Sequence, residues 1–321
     1  MVAVVFKKMD LQLMDDVNPT GAAQLTDRNL LQINYVDGMF VSIEKFCGDK
    51  KQIKTETIGA YMENNLRKSF FITDENVGQY ARQMATWIAE QVTAAGRRGV
   101  VLGMSGGIDC SVVACLCHMA KVDVHLIMMP YGSDMHNSKS HAHAMELIDK
   151  FNFPYHIFDI QSAVDALVIR NETYIVASST PHRVLSLANI RPRVRMTYLY
   201  EFAQLGSRFV IGTGNMAEAT VGYFTKWGDG AYDLNPLALV TKHEVYTLAK
   251  FLGVPESIQQ KRPSAGLWEG QTDEDELGMS YAQIDAFILT GTSGDLAVDE
   301  LIRKRQEQSA HKFAAIPVFK G

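Results

Sequence analysis

From Gly99 onward the chain alternates between short apolar runs and amphipathic stretches of helical length, and this alternation limits the fold more than any other feature. Strands that alternate with such helices build βαβ units, in which helices cover both faces of a parallel sheet. The predicted fold is therefore α/β, with a doubly wound, mostly parallel sheet flanked by helices. The predicted strands comprise residues 99–104, 123–129, 155–159 and 208–212, and the predicted helices residues 74–92, 110–120, 139–151, 190–204 and a segment after Asn215.

Residues 1–72 do not follow this alternation, and we expect them to form a short extension before a domain that comprises residues 73–321. Two β-prone runs flank Asp37-Gly38. An Asp-Gly pair is a strong hairpin signal because both turn positions need positive φ. The sequence therefore predicts a β-hairpin near residues 30–43. It assigns no role to the extension, which is too short to be an independent enzyme domain.

Overall charge and cysteine content limit the class of function. The 321 residues carry a net charge of −5, which argues against a general nucleic-acid-binding protein, because such proteins are usually basic. No apolar run approaches the roughly 20 residues that a membrane-spanning helix needs. The four cysteines lack regular spacing, which indicates a reducing compartment rather than a disulfide framework. We therefore expect a cytoplasmic enzyme with neither a nucleic-acid nor a membrane partner.

The most informative local motif is Gly103-Met-Ser-Gly-Gly-Ile-Asp-Cys-Ser111, which lies between a predicted strand and a predicted helix. Two consecutive glycines let the backbone turn tightly and bring N–H groups close to an anion, and the following helix adds the positive end of its dipole. Ser105, Cys110 and Ser111 can point their side chains toward the same ligand. Asp109 offers a carboxylate for Mg²⁺ held on phosphate oxygens. The spacing fits neither a Walker A loop nor a dinucleotide-binding fingerprint.

The pattern Ser-Gly-Gly-Ile-Asp-Cys-Ser after a strand resembles the pyrophosphate loop of the ATP pyrophosphatase superfamily, whose members release pyrophosphate from ATP as they adenylate an oxygen atom of a substrate. The resemblance implies an adenine nucleotide α-hydrolase-like fold with ATP as co-substrate. Cys110 departs from the serine of many members, and a thiol is a weaker hydrogen-bond donor. The loop residues that the resemblance assigns to ATP are Gly103, Ser105, Gly106, Gly107, Ile108, Asp109, Cys110 and Ser111.

Three further segments resemble NAD⁺ synthetases within this superfamily. They are Asn-Ile-Arg-Pro-Arg-Val-Arg at 189–195, Gly-Thr-Gly-Asn-Met-Ala-Glu at 212–218 with its continuation to Asp233, and the segment from Arg262-Pro-Ser to Tyr281. With the loop, they follow the order of the family. GMP synthetases, asparagine synthetases and tRNA-thiolating enzymes share the loop but not the third segment.

The resemblance also assigns roles outside the loop. Glu218 corresponds to the second Mg²⁺ carboxylate beside Asp109, and Lys242 corresponds to a lysine that contacts phosphate. Asp109, Glu218 and Lys242 are therefore the candidate catalytic residues. Thr213 and Ser264 match positions near ATP. The candidates for binding the dinucleotide are Arg193, Tyr223, Lys226, Asp229 and Asp233.

These assignments have structural alternatives that the sequence leaves open. Glu218 could be an exposed first-turn helix residue favoured by the dipole. Lys226 and Lys242 could be solvated surface lysines, as most lysines are. Arg195 lies two residues from Arg193, so the two cannot face the same way on a helix. We expect one of them to bind substrate and the other to form a structural ion pair.

Three further features of the sequence lead to expectations about the structure. Pro192 is tolerable in the first turn of a helix that begins at Ile190. The acidic run at 273–276 predicts a solvated helix start rather than a metal site. Met128 and Met129 stand where some relatives have an arginine against the adenine, so the sequence does not say how the ATP base is held.

Taken together, the resemblance implies a ligase that amidates nicotinate adenine dinucleotide (deamido-NAD⁺) with ammonia and ATP through an adenylated intermediate. It also implies Mg²⁺ as cofactor and a homodimer. Glutamine-using relatives carry a large nitrilase-type domain, whereas only about seventy residues precede the core here, which favours free ammonia. Three alternatives stay open: a separate glutaminase partner, amidation or thiolation of another adenylated substrate, and a non-catalytic adenine-nucleotide-binding protein.

Overall fold

The computed structural model describes residues 30–36, 39–46, 71–132, 139–168, 180–263, 272–314 and 316–319. The chain forms two compact units, of which one comprises Met1–Ser69 and Ser309–Gly321 and the other Phe70–Gln308. In the first unit, β1 (Leu30–Val36) pairs antiparallel with β2 (Met39–Phe46). This pairing confirms the predicted hairpin and extends it to residue 46. The functional division at residue 72 stays a prediction.

The second unit is built on a parallel four-stranded sheet. Its strands are β3 (Gly99–Gly103), β4 (Asp123–Met128), β5 (Tyr155–Ile157) and β6 (Phe209–Val210), in the order β5-β4-β3-β6. All three pairings are parallel, which confirms the predicted sheet. Strand β6 is shorter than predicted because Gly212 donates its N–H to the carbonyl oxygen of Leu234 and not to β3.

Helices connect and cover these strands. In chain order they are α1 (Val77–Ala94), α2 (Ile108–Met119), α3 (Lys139–Phe151), α4 (Gln161–Leu167), α5 (Thr180–Gly206), α6 (Met216–Thr220), α7 (Lys242–Leu252), α8 (Glu256–Gln259), α9 (Asp273–Leu277), α10 (Tyr281–Thr290) and α11 (Leu296–Ser309). A 3₁₀ turn at Ala310–Lys312 belongs to the first unit. Among the helices of the described residues, none is long and apolar enough to cross a membrane.

The sheet is buried on both faces, as expected for a parallel sheet between helices. Successive residues of β3 point to opposite sides. Val100 and Leu102 pack into a core with side chains of α1, α2 and α7, whereas Val101 packs with side chains of α4 and α5. A third apolar cluster joins α6, α9, α10 and α11. The candidate active site lies where the core around Val100 and Leu102 meets this third cluster.

Two helices begin three or more residues away from the positions predicted. Helix α1 starts at Val77 because the side chain of Asn76 accepts the N–H of Thr73 and donates to the carbonyl oxygen of Phe71, which holds the preceding residues in a turn. Helix α5 starts at Thr180, so Pro192 lies in its interior and not in its first turn. The proline that does occupy the first turn, where a missing N–H has no consequence, is Pro181.

The close approach of Gly106 to α3 leads to a stability prediction. Gly106 has φ of +70°, and a Cβ there would clash with the carbonyl oxygen of Ser140. Gly96 has φ of +62°, and a Cβ there would have no atom within 4 Å, so this position isolates the effect of the backbone angle. We expect Gly96→Ala to lower the free energy of unfolding by about 1–2 kcal/mol, and Gly106→Ala to lower it by about 1–3 kcal/mol more. Urea denaturation of both variants measures the difference. Equal losses of unfolding free energy would show that α3 moves aside at no cost in stability.

Candidate active site

Three helix starts converge beyond the carboxyl ends of β3 and β6. The loop after β3 leads into α2, the segment after β6 leads into α6, and α7 begins close to both. Each helix carries one of the candidate catalytic side chains in its first turn: Asp109 in α2, Glu218 in α6 and Lys242 in α7. Open α/β sheets bind ligands at this edge.

The loop after β3 has the geometry of an anion cradle, but two of its side chains turn inward. Gly106 adopts the left-handed conformation, and Gly107 is the N-cap of α2. Cys110 Sγ and Ser111 Oγ both donate to the carbonyl oxygen of Gly107, at 3.2 and 2.7 Å. These two side chains therefore shape the loop. Ser105 is exposed, but its Oγ also bonds within the loop, since it accepts the N–H of Gly107 at 3.3 Å. Ligand contact therefore falls mainly to the other backbone N–H groups. Ile108 belongs to the core, so only its backbone can face a ligand.

The candidate catalytic residues form one charged cluster. Lys242 Nζ lies 2.6 Å from Asp109 Oδ2 and 4.0 Å from Glu218 Oε1. Asn215 joins the two carboxylates, because its Nδ2 donates to Asp109 Oδ1 at 2.9 Å and its backbone N–H donates to Glu218 Oε2 at 3.0 Å. Only 2% of Lys242 is exposed, so it is not a solvated surface lysine.

This cluster has one more carboxylate than its single ammonium can neutralise. Burial, followed by the charge of Asp109, raises the pKa of Glu218 to about 8. Burial alone would lower the pKa of Lys242, but the carboxylates of Asp109 and Glu218 outweigh it and raise this pKa overall. Asp109 is therefore the firm partner of Lys242, and Glu218 exchanges a proton in the physiological pH range. A further cation would complete the charge balance.

Several contacts hold Lys242 in place. Thr241 and Glu244 form a capping box at the start of α7. Asp285 of α10 accepts the backbone N–H groups of Lys242 and His243 at 3.2 and 2.8 Å. The Lys242 ammonium also lies 4.8 Å from the ring centroid of Tyr281, a cation–π contact. Lys242 is thus fixed at both its backbone and its ammonium group.

The acidic run at 273–276 begins a helix, as predicted, but its first residue is not solvated. Asp273 is buried and accepts a hydrogen bond from the hydroxyl group of Tyr281 at 2.9 Å. The hydroxyl group of Tyr223, fifty residues away in sequence, lies 3.2 Å from Asp273 Oδ1 and 2.8 Å from Glu276 Oε2, so its one proton is shared between the two carboxylates. Burying a carboxylate requires such donors. Asp273 therefore connects the segment assigned to the dinucleotide with the ring that faces Lys242.

The residues assigned to the dinucleotide are brought together only in part. Arg193 of α5 donates to the backbone carbonyl oxygen of Lys226 at 3.3 Å, and Asp229 accepts the N–H of Thr225 at 2.9 Å within the same segment. Asp233 instead accepts the N–H of Val210 at 2.7 Å, which ties it to the end of β6.

One neighbouring prediction needs correction. Arg195 donates to the carbonyl oxygen of Met129 at 3.0 Å where an ion pair was expected, and burial lowers its pKa to about 10. Met128 and Met129 are core side chains. Thr213 is half-buried next to the cluster, between β6 and Asn215. Ser264 lies outside the described residues.

Three residues of the site were not predicted from the sequence. Asn215 carries a usable signal, because Asn followed three residues later by Glu is the pattern of a capping box, and both of its hydrogen bonds are present. Tyr281 and Asp285 carry none, since their partners in α7 lie about forty residues earlier in the chain.

The raised pKa of Glu218 predicts how stability depends on pH without metal. Its pKa rises from an ordinary 4.5 to about 8 on folding, so the folded state binds the proton more tightly. The resulting stabilisation is present below about pH 4.5 and is lost as the pH rises through about 8. We expect the free energy of unfolding in EDTA to fall more steeply between about pH 5 and pH 8.5 for the wild type than for Glu218→Gln. The exposed Glu201→Gln is the control, and equal slopes for the wild type and Glu218→Gln would contradict the burial argument.

The family model and the sequence relatives that match this chain agree on one family. The model of the NAD synthase family matches residues 80–317. The NH(3)-dependent NAD(+) synthetase of Carboxydothermus hydrogenoformans is 40% identical over 240 residues, which cover 74% of this chain and 95% of that protein.

Solved structures of similar synthetases match this chain over most of its length. The NMN synthetase of Francisella tularensis has 34% identity and a TM-score of 0.68, covering 78% of this chain and all of that one. The NH3-dependent NAD synthetase of Campylobacter jejuni has 31% identity and a TM-score of 0.61, covering 76% and 99%. The family model extends over most of the chain and the relatives match along nearly their full length, so the chain belongs to the NAD synthase family.

Proposed function

We propose that this chain amidates nicotinate adenine dinucleotide (deamido-NAD⁺) with ammonia at the expense of ATP, giving NAD⁺, AMP and pyrophosphate. The observation that carries the proposal is the cluster of Asp109, Glu218 and Lys242 beside the loop after β3. Membership in the NAD synthase family supports it. A non-catalytic nucleotide-binding protein would not need a buried lysine held between two carboxylates at the phosphate loop.

The reaction has two steps. An oxygen atom of the nicotinate carboxylate attacks the α-phosphorus of ATP, and the bond from that phosphorus to the bridging oxygen breaks, so pyrophosphate leaves with the electron pair. Ammonia then attacks the carbonyl carbon of the adenylate, the bond to the AMP oxygen breaks, and one proton passes to solvent. The loop N–H groups and Lys242 stabilise negative charge on the phosphate oxygens. The segment around Arg193 and Lys226 holds the nicotinate side in position.

Mg²⁺ fits the donors at this site. Mg²⁺ prefers one or two carboxylates together with phosphate oxygens and water, and Asp109 and Glu218 offer two carboxylates with a deficit of positive charge, as the raised pKa of Glu218 indicates. Among the described residues no group of three or more His, Cys, Asp or Glu side chains could hold a metal alone, so phosphate oxygens would complete the shell. Bound there, Mg²⁺ would neutralise phosphate charge.

A second substrate is a specific alternative. The NMN synthetase of Francisella tularensis has a higher TM-score and identity to this chain than the NAD synthetase of Campylobacter jejuni, at 0.68 and 34% against 0.61 and 31%. The same cluster could therefore serve the amidation of nicotinate mononucleotide, which has the same reacting carboxylate. The two substrates differ only in the adenylate portion, which is distant from the reacting carboxylate.

We further propose a homodimer and a cytoplasmic location. The homodimer is supported by apolar side chains that α5 leaves exposed to solvent: Val184, Leu185 and Leu205, the last at 80% exposure. Val184 and Leu185 are adjacent, so together they expose an apolar area that suits a contact with a second copy. The three cysteines of the described residues are all free, which supports a reducing compartment.

The direct test is an assay with ATP, Mg²⁺ and ammonium, with each nucleotide in turn. Formation of NAD⁺ from nicotinate adenine dinucleotide, with equal amounts of pyrophosphate, supports the proposal. Faster amidation of nicotinate mononucleotide supports the alternative substrate. Pyrophosphate release that is indifferent to both would overturn both. Glutamine in place of ammonium tests whether a separate glutaminase is required.

Lys242 provides the sharpest mutational prediction. We expect Lys242→Met to lower kcat/KM by about 10²–10³-fold, the effect typical of losing one charge-stabilising donor. Lys250→Met is the matched control, because Lys250 lies on the same helix with a 74% exposed side chain and should change the rate less than about twofold. Circular dichroism checks that both variants fold. Retention of activity within about fivefold in Lys242→Met would remove this residue from the mechanism.

A further inference from the structure

A second lysine lies beside the phosphate loop, and it comes from a different part of the chain. Lys261 follows α8, and its Nζ donates to Ser140 Oγ at 2.8 Å. Ser140 is in the first turn of α3, and its carbonyl oxygen packs against Gly106, at the centre of the loop. One hydrogen bond therefore anchors the Lys261 ammonium at the surface that the loop packs against.

The ammonium of Lys261 lacks a carboxylate partner among the described residues. Burial lowers its pKa, and the carboxylate of Asp273 is near enough to oppose this effect. No described carboxylate forms an ion pair with it, and the one hydrogen bond it makes to the described residues is to the neutral hydroxyl group of Ser140. An ammonium has three N–H donors, so two of them are not used by the residues that the structure describes. A partly buried cation whose hydrogen-bond partner is neutral favours the approach of an anion.

Charge balance separates the roles of the two lysines. The charge of Lys242 acts on Asp109 at 2.6 Å and on Glu218 at 4.0 Å as well as on an incoming triphosphate. Lys261 has no carboxylate at such a distance within the described structure, so its ammonium adds to the charge that Lys242 supplies. His143 of α3 lies near enough for Lys261 to help burial lower its imidazole pKa. Its Nδ1 is buried with no hydrogen-bond partner within the described structure.

We propose that Lys261 binds the β- and γ-phosphates of ATP and the pyrophosphate that leaves. The inference rests on the proposed function, because it assigns a residue to the pyrophosphate side of that reaction. Negative charge grows on the bridging oxygen as its bond to the α-phosphorus breaks. The ammonium of Lys261 donates to the pyrophosphate oxygens and keeps its own proton throughout. Ser140 is a positioning residue that holds the ammonium beside Gly106.

The test is direct binding of inorganic pyrophosphate with Mg²⁺ to the full chain, measured by isothermal titration calorimetry. A charge-assisted hydrogen bond contributes about 1.5–3 kcal/mol, so we expect Lys261→Met to weaken binding by about tenfold or more. Lys261→Arg should restore most of the affinity. Lys304→Met, at an exposed position of α11, is the matched control and should bind like the wild type.

Kinetics separate this role from a structural one. Lys261→Met should raise the KM for ATP and the inhibition constant of pyrophosphate about tenfold, with the KM for nicotinate adenine dinucleotide unchanged. If Lys261→Met does not fold, Lys261→Gln carries the same expectations.

The possible failures are distinguishable. Amidation by the wild type together with undiminished pyrophosphate binding in Lys261→Met would overturn the inference alone. A wild type that neither amidates nor binds pyrophosphate would overturn the proposed function and the inference with it.

Discussion

The buried ion pair between Lys242 and Asp109 fixes the first turn of α7 against the first turn of α2, and the other site residues are placed relative to it. A charge that loses its partner in such a position is strongly destabilising, so neither helix can shift without the other. Glu218 joins the pair through Asn215, whose side chain and backbone bond to the two carboxylates. The sheet makes this arrangement possible, because parallel strands deliver the following loops to one edge.

In this protein, the contacts that cap the helices also fix the geometry of the active site. Asn215 caps α6 and also holds Asp109, so one side chain satisfies a helix end and orients a carboxylate. Asp285 accepts the first N–H groups of α7 and thereby sets where the Lys242 side chain begins. Asp273 extends the network, since it links Tyr223 to Tyr281 and so joins the segment proposed for the dinucleotide to the lysine cluster. A substitution at any cap would therefore also change the site.

The sequence correctly predicted the parts of the structure that local residue patterns determine. Alternating apolar runs predicted the four parallel strands, and two adjacent glycines before Asp109 predicted the loop. The predictions were wrong where contacts between residues far apart in sequence determine the structure. The burial of Asp273 depends on two tyrosines, one of them fifty residues away, and no local pattern reveals them. Pro192 was misplaced because the local pattern did not reveal the ten residues of helix before Ile190, which begin at Thr180 and have Pro181 in their first turn.

The sequence separations within the cluster have a consequence for folding. Asp109 bonds to Asn215 and Lys242 across 106 and 133 residues, so the site consists of contacts of very high contact order. Chain closure over such loops is slow, and a nascent chain cannot form the cluster until α7 has been synthesised. The complete cluster is therefore acquired late, after α7 has packed against α2. A partly folded chain would present the phosphate loop without its lysine.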